Sequence, residues 1–217
     1  MQSLSADAFA QRMNDSSVQV LDTREASAFV QGFIPGSLFI GLASPRFGEW
    51  VSLLVDKSTP LLLVCTPGTE DSVSAAVQKA GCPEPLGYLD GGFDRWVASG
   101  NPVDLIIEVE ADELAMDIPF DDKLLVLDVR SETEYADGHV KNAQLLPLED
   151  LADRANIALV EEDQTVYIHC KSGYRSVIAA SLFKMEGYHN LRNVAGGWDA
   201  IAQEPKIEKE KDSPAMN

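Results

Sequence analysis

The stretch "TVYIHCKSGYRSVIAASLFKMEG", residues 165–187, decides the fold. Its opening, Thr165 to Cys170, is a continuous apolar run of strand length, the kind expected of a parallel strand covered on both faces. Its closing part places Ile178, Leu182 and Met185 at i, i+4 and i+7 and sets Gly187 where a helix would be capped. Between them lies a short loop that begins with a thiol, Cys170, and ends with a guanidinium, Arg175. A second run, "LLVLDV" at 124–129, has the same strand character. Strand alternating with helix predicts an α/β fold, a mainly parallel central sheet flanked by helices, with any site at the carboxyl ends of the strands. Cys170 stands at such an end.

The chain carries this pattern twice. "VLDTREASAFVQGFIPGS" aligns with "VLDVRSETEYADGHVKNA" at an offset of 106, pairing Asp22 with Asp128, Arg24 with Arg130 and Gly32 with Gly138. At an offset of 105, Cys65 falls on Cys170, and Gly91 and Gly92 fall on Gly196 and Gly197. One domain has been duplicated. Gly100, Asn101 and Pro102 punctuate the join, which gives a first domain over 1–103 and a second over 104–204. Residues 205–217, "PKIEKEKDSPAMN", are highly charged with little to bury, and the expectation for them is a disordered tail.

Composition narrows the partners. With 17 basic against 35 acidic residues the net charge is −18, which opposes binding to nucleic acid or to an anionic membrane over most of the surface. No stretch has the length and apolarity of a membrane span, and the opening residues carry no signal-peptide core, so the expected location is cytoplasmic. Cys65, Cys82 and Cys170 are odd in number and form no CxxC pair, which points to reduced thiols. His139, His169 and His189 show no ligand spacing with them, so no metal is expected. A phosphate-binding glycine fingerprint is also missing, and no cofactor is called for.

The loop supplies what a nucleophilic thiol needs. A free thiol of pKa ~8.5 is only about 3% ionised at pH 7, and a helix N-terminus or neighbouring cations raise that fraction. Gly173 permits a tight curve in which successive N–H groups turn inward, while Lys171 and Arg175 add positive charge to an otherwise acidic molecule. Such a nest suits attack on an anionic substrate and storage of the transferred group on Cys170.

Asp128-Val129-Arg130, Gly138-His139-Val140, the loop from Cys170 to Ser176 and Gly196-Gly197-Trp198 together resemble the rhodanese family of sulfurtransferases, as two tandem rhodanese-like domains over about 1–204. The second loop matches the family's C-x-x-G-x-R pattern at every fixed position. The resemblance implies that Cys170 takes sulfane sulfur from thiosulfate or a persulfide and passes it to cyanide or a thiol. It implies that Lys171, Ser172, Gly173, Tyr174, Arg175 and Ser176 hold the substrate, with Asp128 and Arg130 in support. The partners so implied are a small anionic sulfur donor and a thiol acceptor. The pair is also similar to the tandem rhodanese region that follows a metallo-β-lactamase-like hydrolase in some bacterial proteins, which adds a hydrolase or a protein persulfide as a possible partner. Related-looking phosphatases and arsenate reductases use a loop one residue longer, C-x5-R, and the shorter ring here is expected to suit a single sulfur.

The first domain departs from the pattern. Its loop, "CTPGTE", keeps Cys65 and Gly68 but puts Pro67, which has no N–H, in the nest and Glu70 where the arginine stands. Both changes oppose an anion, and a scaffolding or docking role is expected for this domain. His139 is expected to pack beneath the site. His169 is not expected to form a dyad with Cys170, because consecutive strand residues face opposite ways. The two glycines with Trp198 read as a tight turn with an aromatic plug, and Cys82 as a small filler. A non-catalytic interaction module is the reading that competes with the enzyme, since fold alone does not carry function.

Overall fold

The computed structural model describes residues 1–14 and 18–212. The chain divides into two compact units, Met1–Leu105 and Ile106–Asn217. The first contains β1 (Gln2–Leu4), α1 (Ala6–Met13), β2 (Gln19–Asp22), α2 (Ala26–Gln31), β3 (Leu38–Phe39), α3 (Phe47–Leu54), β4 (Leu61–Val64), α4 (Glu70–Lys79), β5 (Gly87–Leu89) and α5 (Gly92–Ala98). The second contains β6 (Ile107–Val109), α6 (Ala111–Asp117), β7 (Leu124–Asp128), α7 (Glu132–Ala136), β8 (His139–Val140), β9 (Gln144–Leu145), β10 (Thr165–His169), α8 (Tyr174–Met185), β11 (Leu191–Val194), α9 (Gly197–Ile201) and β12 (Lys209–Glu210).

Each unit is built on a five-stranded sheet, ordered β1-β5-β4-β2-β3 in the first and β6-β11-β10-β7-β9 in the second. All the pairings in both sheets are parallel. The fold is therefore α/β, with two parallel-sheet domains flanked by helices. The apolar character of β4, buried at every residue, and of β10, buried at all but its first, follows from this. In the second sheet the chain leaves β7 toward β9 on one side and leaves β10 toward β11 on the other. The carboxyl ends of β7 and β10 thus flank a crevice where the connections diverge, the usual place for a site in such sheets.

α8 runs through the core of its unit: every residue from Ser176 to Phe183 is buried. Each buried Val, Ile, Leu or Phe side chain there contributes roughly 1.5–3 kcal/mol relative to exposure. The helix ends as its sequence predicts. The Gly187 N–H bonds the Lys184 carbonyl at 3.1 Å and the Tyr188 N–H bonds that of Phe183 at 3.0 Å, the paired bonds of a Schellman ending. Met185, expected on the inner stripe, is only half-buried.

Residues 205–212 do not form the disordered tail expected of them. β12 pairs antiparallel with β8, Lys209 opposite Val140 and Glu210 opposite His139, and Ile207 is 3% exposed in the core with Leu114, Val126 and Ile201. One apolar residue in a charged segment is enough to dock it, because the strand edge at β8 supplies the backbone partners. The rest of that stretch, 213–217, lies outside the described residues. No helix among the described residues is long and apolar enough to cross a membrane, and no group of three His, Cys, Asp or Glu among them is placed to hold a metal ion.

Candidate active site

β10 delivers Cys170 to the carboxyl edge of the second sheet, where the side chain is 1% exposed. Gly173 then adopts a φ of +102°, in the left-handed region that a side chain would disfavour. That turn brings its N–H to 3.2 Å from Cys170 Sγ. The Ser176 hydroxyl lies 3.6 Å from the same sulfur and 3.0 Å from the Gly173 carbonyl, so its single proton has the carbonyl as the nearer acceptor. α8 starts at Tyr174, directly after the turn, and sets its unsatisfied N–H groups and positive dipole end against the loop. The buried sulfur thus has one backbone donor, the Gly173 N–H, on the side where α8 begins.

The two loop cations are engaged differently from the sequence expectation. Arg175 makes a bidentate pair with Glu134, with both N–H···O distances 2.7 Å, and Lys171 pairs with Asp199 at 2.9 Å on the surface. Each positive charge is matched by a carboxylate, so the loop is far less electropositive than its own residues imply. The Arg175 guanidinium beside Glu134 holds that carboxyl down at about 2, and the pairing in turn raises the arginine. Glu134 is held from a second side, because it closes the capping box of α7 with the Ser131 N–H and hydroxyl. Ser172 is exposed and Tyr174 half-buried.

Asp128 and Arg130 lie below the loop as a brace. Arg130 Nε donates to both Asp128 oxygens at 3.0 Å, a terminal nitrogen donates to Oδ2 at 2.6 Å and to the Gly138 carbonyl at 2.7 Å, and the guanidinium lies 4.5 Å over the Trp198 ring. Trp198 is half-buried, and it serves this stack as much as the core. His139 is buried, stacked on Tyr135 at 3.7 Å, with its Nε2 3.4 Å from Glu210 of β12. The Gly196-Gly197 turn lies directly behind the loop: a Cβ at Gly197 would stand 2.4 Å from the Cys170 carbonyl oxygen. From there the Trp198 and Asp199 N–H groups bond the Cys170 and Lys171 carbonyls at 2.7 and 3.0 Å.

A family model for the rhodanese-like domain matches residues 5–99 and, again, 110–204. The chain belongs to the rhodanese family. It is 28% identical over 99 residues to a protein named sulfurtransferase from Allochromatium vinosum, covering 46% of this chain and 91% of that one. It is 33% identical over 81 residues to the thiosulfate sulfurtransferase PspE of Escherichia coli, covering 37% of this chain and 76% of that one. It is also 34% identical over 92 residues to the putative sulfur carrier protein YrkF of Bacillus subtilis, 42% of this chain and about half, 49%, of that protein.

The first rhodanese-like domain keeps the brace and alters the loop. Arg24 chelates Asp22, donates to the Gly32 carbonyl at 2.8 Å and lies 4.1 Å over the Phe93 ring, repeating the arrangement of Arg130. At the loop, the Gly68 N–H, which corresponds to the Gly173 donor, bonds the two Glu70 carboxylate oxygens at 3.0 and 2.9 Å. The protein's own carboxylate fills the place of an anion. Burial, with the Glu70 and Asp22 charges adding to it against a hydrogen bond from Thr23, pushes the Cys65 thiol up to about 12. Cys82 is buried and its thiol also raised, chiefly by burial.

Two residues that sequence reasoning passed over hold the loop cations, Glu134 and Asp199. Ser131-x-x-Glu134 is a legible capping signature, but nothing local ties Glu134 to a loop 41 positions on. Asp199 lies 28 positions after Lys171 and is equally silent in the sequence.

Proposed function

We propose that the protein is a sulfurtransferase whose second domain carries sulfane sulfur on Cys170. The carrying observation is the Gly173 N–H at 3.2 Å from Sγ in a loop that opens directly onto α8. Donors so placed stabilise a thiolate and, after transfer, a terminal sulfur one atom farther out. With thiosulfate, the Cys170 thiolate attacks the outer sulfur, the S–S bond of the donor breaks, sulfite leaves with the electron pair, and Cys170–S–S⁻ remains. An acceptor thiolate or cyanide then attacks the terminal sulfur, and the Cys170 thiolate leaves. A persulfide donor would follow the same path with a thiolate as leaving group. The name of the Escherichia coli relative favours thiosulfate as the first donor to try.

Lys171, Ser172, Gly173, Tyr174, Arg175 and Ser176 form the substrate loop in this reading, with Arg175 held in place by its bidentate pair with Glu134. The first domain is a scaffold, since Glu70 occupies its nest and Cys65 stays protonated. Thiocyanate formation from thiosulfate and cyanide tests the assignment. Cys170→Ser is expected to abolish it and Cys65→Ser to leave most of it, and the reverse pattern contradicts the assignment. The competing reading, a non-catalytic module that docks a partner such as a hydrolase, draws on the sealed first loop and predicts no turnover in the unaltered protein.

A further inference from the structure

The carbonyl of Cys170 has two donors: the Trp198 N–H at 2.7 Å and His169 Nδ1 at 3.2 Å. The next carbonyl, that of Lys171, is held by the Asp199 N–H. In a trans peptide the N–H points opposite the C=O, so the Lys171 and Ser172 N–H groups are turned away from α9. One residue farther on, the Gly173 N–H reaches the sulfur.

His169 is fully buried at the end of β10, opposite Asp128 of β7 in the register. Its Nε2 has no hydrogen-bond partner among the described residues and stands 3.7 Å from Asp128 Oδ2, an oxygen already taken by Arg130. Burial lowers the ring below its ordinary value, against the pull of Asp128, so the imidazole is neutral and has one proton. Only Nδ1 has an acceptor within range, and the proton belongs there. Leaving the other nitrogen unmet in the core is costly, and an apolar residue would avoid the cost. The first domain does so: its counterpart to His169 is Val64, in a unit that keeps the glycine turn, with Gly92 3.0 Å in Cβ distance from the Cys65 carbonyl. Within one chain, the histidine is present where the loop is intact and replaced where it is altered.

We propose that His169 is a positioning residue for sulfur transfer, donating from Nδ1 to the Cys170 carbonyl and so fixing and polarising the peptide whose N–H end turns into the loop. A carbonyl that accepts hydrogen bonds makes the N–H of the same peptide, here that of Lys171, a better donor, and in this proposal that N–H joins the Gly173 N–H in receiving negative charge on sulfur. The inference rests on Cys170 being the sulfur carrier, yet its first readout needs no sulfur chemistry. That readout is the rate of Cys170 alkylation by iodoacetamide at pH 7, followed at the Cys170 peptide by mass spectrometry, because the thiolate is the reacting form.

His169→Leu removes the donor, and alkylation is expected to slow by about fivefold or more. His169→Asn, whose amide N–H can take the place of Nδ1–H, is expected to stay within about twofold of the unaltered protein. Sulfur loading from thiosulfate is expected to follow the same order. Equal alkylation in the leucine variant and the unaltered protein overturns the proposal, and so does an asparagine variant as slow as leucine, which marks ring shape as the cause. Should the leucine variant not fold, His169→Gln, with its amide one bond too far out, takes its place under the same two outcomes. If the unaltered protein alkylates at Cys170 but never loads sulfur, the sulfurtransferase reading fails, while the alkylation order still decides the role of His169.

Discussion

Gly68 and Gly173 occupy the same place in two copies of one loop, and their N–H groups serve opposite ends: the first is spent on the Glu70 carboxylate, the second on the Cys170 sulfur. Exposure does not separate the two thiols, at 2% for Cys65 and 1% for Cys170. The partner of the loop glycine N–H does: a carboxylate in the first domain, the thiol sulfur in the second. The Arg175–Glu134 pair has a further consequence for pH. Because Glu134 is held at about 2, below its ordinary 4.5, its pairing stabilises the fold fully above pH 4.5 and is lost as pH falls toward 2. The carboxylate is half-buried, its side chain 30% exposed, so solvent screening reduces the effect without removing it. Glu134→Gln is expected to flatten the acid limb of the stability curve between those two pH values, measured by denaturant unfolding; an unchanged acid limb contradicts the pairing.

At the scale of elements, the α9 turn and the loop act as one piece. Gly197 combines a φ of +55° with backbone 2.4 Å from where its Cβ would be, so Gly197→Ala must displace the loop itself. The expected result is a loss of sulfur loading of at least tenfold, following the steep dependence of catalysis on ~1 Å misplacements. Gly187→Ala is the control: its φ is also positive, at +90°, but a Cβ there meets nothing within 4 Å. It should cost ~1–2 kcal/mol of stability and leave loading intact. Sequence patterns made the strands, α8 and its glycine ending readable, because each depends on neighbours in the chain. The docking of 205–212 was not readable, because it depends on Ile207 finding a core and β12 finding a strand edge, and composition reports neither.

For the whole molecule, the duplication was legible because two offsets, 106 and 105, superpose strand ends, loop cysteines and glycine pairs. The thiol, the glycine turn and the altered first loop could be read the same way. The field around the site could not. Counting Lys171 and Arg175 as local positive charge leaves out Asp199 and Glu134, which reach them only through tertiary packing. A loop so neutralised, on a chain of net charge −18, should repel a dianionic donor. Sulfur loading by thiosulfate is therefore expected to speed up as ionic strength rises and the Debye length shrinks from ~30 Å at 0.01 M to ~8 Å at 0.15 M. A rate that falls with salt would reveal a positive field that the paired loop does not provide.

The mass of the intact protein after exposure to thiosulfate tests the sulfur-carrier claim most directly. One added sulfur, about 32 Da, is expected on the unaltered chain and on Cys65→Ser, removed by cyanide or dithiothreitol and missing from Cys170→Ser. An unaltered chain that gains no mass, or a Cys170→Ser chain that still gains it, contradicts the account.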